Sequence, residues 1–169
     1  HILYGKLLTH REEISNILEI GLGTNNTDLV SSMGKEGMPG ASLRAFRDFC
    51  MNAEIMGADI DKRILFKEDR IKTFYVDQTS NISLDNLKEK FSNKFDLIID
   101  DGLHSPDANI NTIRIATTLI KKGGSIVVED INSKAIDIWI TISNLLPTNI
   151  YKSQIIEAEG ALLFLIQRI

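Results

Sequence analysis

Ile17-Leu18-Glu19-Ile20-Gly21-Leu22-Gly23-Thr24-Asn25 joins a short apolar run to a pair of glycines. A run of this length, bounded by turn residues, predicts a buried strand followed by a glycine-rich turn. Glycine turns tightly and lets a ligand approach the backbone. In open α/β sheets, ligands lie beyond the carboxyl ends of the strands. Gly21 and Gly23 are therefore candidate contact positions. The dinucleotide fingerprint has a third glycine, where this chain has Asn26, so the turn is a poor cradle for a pyrophosphate. Taken alone, the match is equally compatible with a plain strand-to-loop turn.

Outward from this turn, apolar clusters and turn signals alternate. Residues 54–60, 72–76, 95–100 and 125–128 read as further strands, with apolar, β-branched and aromatic residues favouring β structure. Leu43, Phe46 and Cys50 recur at helical spacing in 41–51. A short amphipathic helix is predicted over 84–91 with Ser83 as its N-cap. Pro106 suits a first helical turn, and Ile110, Ile113, Thr117 and Ile120 give a helix ending at Lys121-Lys122-Gly123-Gly124. A last helix over 135–146 is stopped by Pro147, with Trp139 expected in the core. Strands at 150–156 and 161–167 flank Glu159-Gly160 as a hairpin. This pattern predicts an α/β, Rossmann-like doubly wound sheet, mostly parallel, closed by a C-terminal antiparallel hairpin.

The chain has 169 residues, enough for one domain with its own core and with no room for a second. With 43% hydrophobic and 25% charged residues it is an ordinary globular composition, not a disordered one. The formal net charge is −4, and the longest basic run is a pair such as Lys121-Lys122, which argues against nucleic acid or an anionic membrane as partner. Cys50 is the single cysteine, which excludes an intrachain disulfide and a cysteine-based zinc site and fits a reducing cytoplasm. No apolar stretch approaches a membrane span.

The second strand sharpens the ligand question. Asp59 ends it, well past the glycine turn, where a carboxylate takes both ribose hydroxyls of a nucleoside as a charge-assisted acceptor. The alternative is a solvated strand-end acid. Asp77-Gln78 follows the third strand, where contacts to an adenine edge are expected. Glu19 is an acid leading the glycines, which favours S-adenosylmethionine (SAM) over NAD: that ligand carries an amino group and a positive sulfur, and no phosphate.

Asp100-Asp101-Gly102-Leu103-His104 follows the fourth strand and Glu129-Asp130 the fifth. Neighbouring strands lie about 4.8 Å apart, so these acids gather at one sheet edge. Carboxylates so close do not all stay ionised unaided. Either a pKa rises, or a hard divalent cation, most simply Mg²⁺, sits among the oxygens; capping of helix N-termini or plain solvation is the bland reading. Successive strand residues point to opposite faces, so Asp101, with Glu129 and Asp130, is placed on the ion and Asp100 is not. His104, in the same loop, is a candidate general base for a hydroxyl acidified by the metal, with a fourth ligand or a surface histidine as alternatives. His1 and His10 have no comparable neighbours.

Together these segments resemble a class I SAM-dependent methyltransferase, and more narrowly the Mg²⁺-dependent macrolide sugar O-methyltransferases of the mycinamicin and tylosin type, with the related cephalosporin-hydroxylase-like proteins. The markers are Leu18-Glu19-Ile20-Gly21, Gly40-Ala41-Ser42-Leu43-Arg44, Gly57-Ala58-Asp59-Ile60, Asp77-Gln78, Asp100-Asp101-Gly102-Leu103-His104, and Gly123-Gly124 followed by Glu129-Asp130. The resemblance implies that Glu19, Gly21, Gly23, Ser42, Asp59, Asp77, Gln78 and Asp100 lie at the SAM site. It further implies that Asp101, Glu129 and Asp130 hold Mg²⁺ and that His104 is the base. Leu103 departs from the serine usual there, and the upstream segment that helps close over the cofactor would lie before His1. The implied activity is O-methylation of a hydroxyl on a small-molecule or glycan acceptor, with a homo-oligomer possible. A non-catalytic SAM-binding scaffold is the alternative, followed by an NAD-dependent oxidoreductase.

Overall fold

The computed structural model describes residues 2–91, 94–158 and 160–169; His1 and Glu159, the latter half of the expected hairpin turn, lie outside them. The stretch around the glycine turn supplies the central strand, β1 (Asn16–Ile20), buried along its whole length. It is flanked by β2 (Glu54–Asp59) on one side and, on the other, by the fifth strand of the chain, Phe95–Asp100. Between these two come the short β3 (Lys67–Glu68) and β4 (Ile71–Tyr75), which makes Phe95–Asp100 β5. The sheet continues with β6 (Ile120–Val128), and β7 (Tyr151–Ala158) and β8 (Ala161–Arg168) form the closing hairpin.

The strand order is β3-β4-β2-β1-β5-β6-β8-β7. Pairs among β4, β2, β1, β5 and β6 are parallel; β3 on β4, β8 on β6 and β7 on β8 are antiparallel. The mostly parallel sheet with a C-terminal antiparallel hairpin is thus as expected. The chain builds outward from β1 through β2 to β4, then crosses back to β5. That reversal leaves a crevice between the carboxyl ends of β1 and β5, where this class of sheet binds ligands.

Alternation along the strands sorts the core into two layers. Ile17, Ile55, Leu97, Ile99 and Val127 pack with α1 (Ile2–Leu7) and α2 (Ala41–Phe49). Leu18, Ile20, Ala58, Ile98, Ile126 and Val128 pack with α3 (Asn81–Lys88), α4 (Pro106–Leu119) and α5 (Ile136–Leu145). Trp139 is fully buried against Phe164, ring centroids 5.3 Å apart, as expected of a core residue.

The structure corrects several local readings. α3 is capped by Ser80, whose side chain accepts the Ser83 N–H, while the Ser83 hydroxyl accepts from the Asp77 N–H. α4 stops at Leu119, because buried, β-branched Ile120 is already extended and paired with Phe95. Ile110 is exposed, and the inner face of α4 instead carries Ala108, Asn109, Thr112, Ile113 and Ala116. α1 and β3 were not foreseen. α1 is six residues long and β3 two, too short to leave a periodic signal.

Candidate functional site

Register brings the site together. Ile20 pairs with Asp100, and Asp100 with Val128. The next residues, Gly21, Asp101 and Glu129, therefore stand side by side. Backbone bonds extend the ladder past the strands: Asp101 N–H donates to Ile20 O at 2.8 Å, Glu129 N–H to Asp100 O at 2.9 Å, and Gly21 N–H to Ala58 O at 2.9 Å.

The glycines make this closeness possible. Gly21 has φ +94°, and a Cβ there would lie 2.1 Å from the Asp101 carbonyl oxygen. Gly23, at φ +71°, lies under the Met33 thioether. Asp59, 7% exposed, accepts Leu22 N–H at 2.7 Å and Asp61 N–H at 2.8 Å, so it fixes the turn from the adjacent strand. Asp61 grips the far side of the same loop, accepting from Thr24 Oγ1 at 2.6 Å and Asn26 Nδ2 at 2.7 Å and pairing with Arg63.

Behind the turn, on the α2 side, Glu19 is 4% exposed and Ser42 Oγ donates to its carboxylate at 2.7 Å. Burial pushes the Glu19 carboxyl up to about 8, Asp101 and Glu129 add to the rise, and the Ser42 bond opposes it. A carboxylate so placed is stabilised by any cation that reaches it.

Asp100 and Asp101 diverge. Asp100 is fully buried toward α4; its carboxylate accepts from Gln78 Nε2 at 2.7 Å and Asn109 Nδ2 at 3.0 Å. Asp101 faces the opposite way, toward Glu129 and Asp130, and burial together with those charges lifts its carboxyl to about 7. Among the described residues, donor atoms of Asp101, His104 and Asp130 lie within 4.8 Å of one another. His104 Nε2 is 3.7 Å from Asp101 Oδ1, and its buried Nδ1 has no partner among the described residues. His104 and Asp130 hold φ of +53° and +49°. Such backbone is uncommon outside glycine and concentrates at functional positions. Glu129 turns toward α1, where the Tyr4 hydroxyl donates to it.

A cavity of about 290 Å³ opens beside this group. It is lined by Gly21 and Gly23 of the turn, by Asp59, Ile60, Val76, Asp77 and Gln78, and by Asp101, His104 and Asp130. Glu19, Ser42, Asp100 and Glu129 are not among its lining residues. Asp100, the strand-end residue expected at the cofactor, is instead a buried support beneath the loop. Sequence reading missed Tyr4, Asn109 and Thr112. For the last two a signal existed, since polar residues three apart on the inner face of an amphipathic helix ask for a buried partner. Tyr4 left none.

The donors suit both implied groups. Hard carboxylate oxygens of Asp101 and Asp130 crowded beside the His104 imidazole are relieved by a divalent cation. Asp59, between a glycine turn and the apolar Ile60 and Val76, suits the ribose and base of a nucleoside.

No protein-family model matches the chain. It is similar to demethylmacrocin O-methyltransferase of Streptomyces fradiae, 30% identical over 122 residues, which are 72% of this chain and 29% of that protein. It is similar as well to mycinamicin VI 2''-O-methyltransferase of Micromonospora griseorubida, 31% identical over 122 residues, 72% of this chain and 28% of that one. The solved structure of the MycE methyltransferase in complex with Mg, SAH and mycinamycin VI superposes with a TM-score of 0.75 at 20% identity, over 99% of this chain and 48% of that one. This is the class I methyltransferase fold. The methyltransferase resemblance read from the sequence is borne out by both comparisons. The chain spans less than a third of the curated methyltransferases it matches and about half of the MycE chain.

Proposed function

We propose that residues 1–169 act as one SAM-binding domain that transfers a methyl group to a hydroxyl of a sugar or other small-molecule acceptor, with a divalent cation, most simply Mg²⁺, at the acidic end of the cavity. The observation that carries this is the cavity itself: the glycine turn, Asp59, Asp101, His104 and Asp130 all line one opening. A nucleoside-bearing methyl donor and an oxygen-bearing acceptor meet in such a space.

Asp59 would take the ribose hydroxyls, Ile60 and Val76 would sandwich the base, and Asp77 would meet its edge. Glu19, its charge disfavoured while unpaired, would favour the donor's positive amino group. SAM, when bound, supplies an electrophilic methyl on sulfur. Asp101 and Asp130, whose donor atoms meet beside His104, would hold the cation, with Glu129 behind them on Tyr4, and the chemistry of such an ion is to acidify a coordinated hydroxyl. His104 would hold the proton taken from that hydroxyl at Nε2, which lies 3.7 Å from Asp101 Oδ1. Fixing donor and acceptor in line is worth about 7–11 kcal/mol of barrier.

The test is transfer of an isotopically labelled methyl from SAM to a panel of sugar and catechol hydroxyls, with Mg²⁺ and with EDTA. Labelled product that disappears in EDTA supports the reading. SAM binding without transfer to any acceptor favours a non-catalytic cofactor-binding scaffold.

A further inference from the structure

We propose that Gln78 is a positioning residue that fixes the loop carrying Asp101 and His104, and that its side-chain N–H groups are not available to the cofactor. The proposal rests on the methyltransferase reading for its consequence, though not for its geometry. Gln78 lies beyond β4, 8% exposed, on the cavity wall. Its Nε2 is 2.7 Å from Asp100 Oδ1 and 3.0 Å from Thr112 Oγ1, and its Oε1 accepts the Leu103 N–H at 3.0 Å.

A glutamine amide has two N–H donors. Here Asp100 and Thr112 take both. The opposite amide orientation would set an oxygen against the Asp100 carboxylate and a donor against the Leu103 N–H, so the assignment follows from the partners themselves. No N–H remains for an adenine edge, although the residue borders the cavity.

The loop side of the contact is equally specific. Leu103 lies between Asp101 and His104, and its N–H is the one Gln78 holds. Gly102 makes room: a Cβ there would lie 2.0 Å from Gln78 Oε1. His104 sits at φ +53°, a conformation that persists only where its surroundings enforce it. The bond to the Leu103 N–H pins the Gly102–Leu103 peptide, one link before that strained residue. Asp100 and Thr112 anchor the amide from below and Asn109 in turn holds Asp100, so the buried network under the sheet edge ends at the metal-and-base loop.

Two variants break the link differently. Gln78→Leu removes the amide; Gly102→Ala keeps Gln78 but places a methyl against its oxygen. In the ligand-free protein, hydrogen exchange of the Leu103 amide is expected to quicken about tenfold or more in both. Mn²⁺ titrated alone is expected to bind about tenfold more weakly, as for other residues that orient ligands from behind, with S-adenosylhomocysteine affinity within about threefold of wild type on the same scale. Unchanged Leu103 exchange in both variants overturns the proposal. So does a tenfold loss of S-adenosylhomocysteine affinity with Mn²⁺ binding intact, which would make Gln78 a cofactor contact. Wild-type protein that binds no S-adenosylhomocysteine counts against the methyltransferase reading alone, because the exchange measurement is made without ligand.

Discussion

Asp100 and Asp101 are neighbours in the chain and face opposite sides of the sheet, the first sealed against Asn109 and Gln78, the second turned to Glu129 and Asp130. Their isosteric substitutions should therefore act in opposite ways. Asp100→Asn sets an NH₂ against one of two donors and should cost about 1–3 kcal/mol of stability. Asp101→Asn removes one of several crowded negative charges, so it should leave stability unchanged or raised, while weakening Mn²⁺ binding by about tenfold or more. Urea unfolding and Mn²⁺ titration of the two proteins read this directly, and equal destabilisation would contradict the assignment.

His104→Ala removes the proposed proton acceptor without touching the nucleoside end of the cavity. Methyl transfer should fall by about 10²–10⁴-fold. Affinity for S-adenosylhomocysteine should stay within about threefold, a smaller effect than the loss expected in turnover. Transfer at the wild-type rate would remove His104 from the mechanism.

Tyr4→Phe deletes the hydroxyl that donates to Glu129 while keeping the ring packed on Phe46, centroids 5.5 Å apart. Loss of the partner that holds Glu129 in place behind the Asp101 and Asp130 carboxylates should weaken Mn²⁺ binding by about tenfold. Unaltered Mn²⁺ affinity would mean that α1 covers the site without ordering it.

The Asp61 clamp predicts an acid-sensitive loop. Arg63 first, then Thr24 and Asn26, hold the Asp61 carboxyl well below the usual carboxylate range. A lowered folded-state pKa gives stability that is present above the unfolded value of about 3.9 and is lost as pH falls below it. Asp61→Asn has no such proton to take up. Between pH 5 and pH 3 the wild type should therefore lose more stability than Asp61→Asn, by urea midpoints at each pH. Parallel losses would show that the clamp carries no net charge linkage.

The sequence made the outline legible because continuous apolar strands and glycine-ended turns are local signals. β1, β2 and β5 fall where the apolar runs lie, and their registers place Gly21, Asp101 and Glu129 together. Strand alternation foretold the parting of Asp100 and Asp101. What was not legible is long-range. Tyr4 and Glu129 are 125 residues apart, and nothing near either announces the bond. Gln78 read as an adenine contact because of its place after a strand, whereas both its N–H groups turn inward to Asp100 and Thr112. The helix-end reading at Lys121-Lys122 failed for a different reason, since the pairing of Ile120 with Phe95 overrides a local capping signal.

The central claim is that the cavity beyond β1 and β5 is a SAM site, and calorimetric titration with S-adenosylhomocysteine, with NADH as the comparison ligand, tests it most directly. The account predicts saturable S-adenosylhomocysteine binding near one per chain, abolished or strongly weakened in Asp59→Ala, and no binding of NADH. Absence of S-adenosylhomocysteine binding with and without Mg²⁺, or preferential binding of NADH, would contradict it.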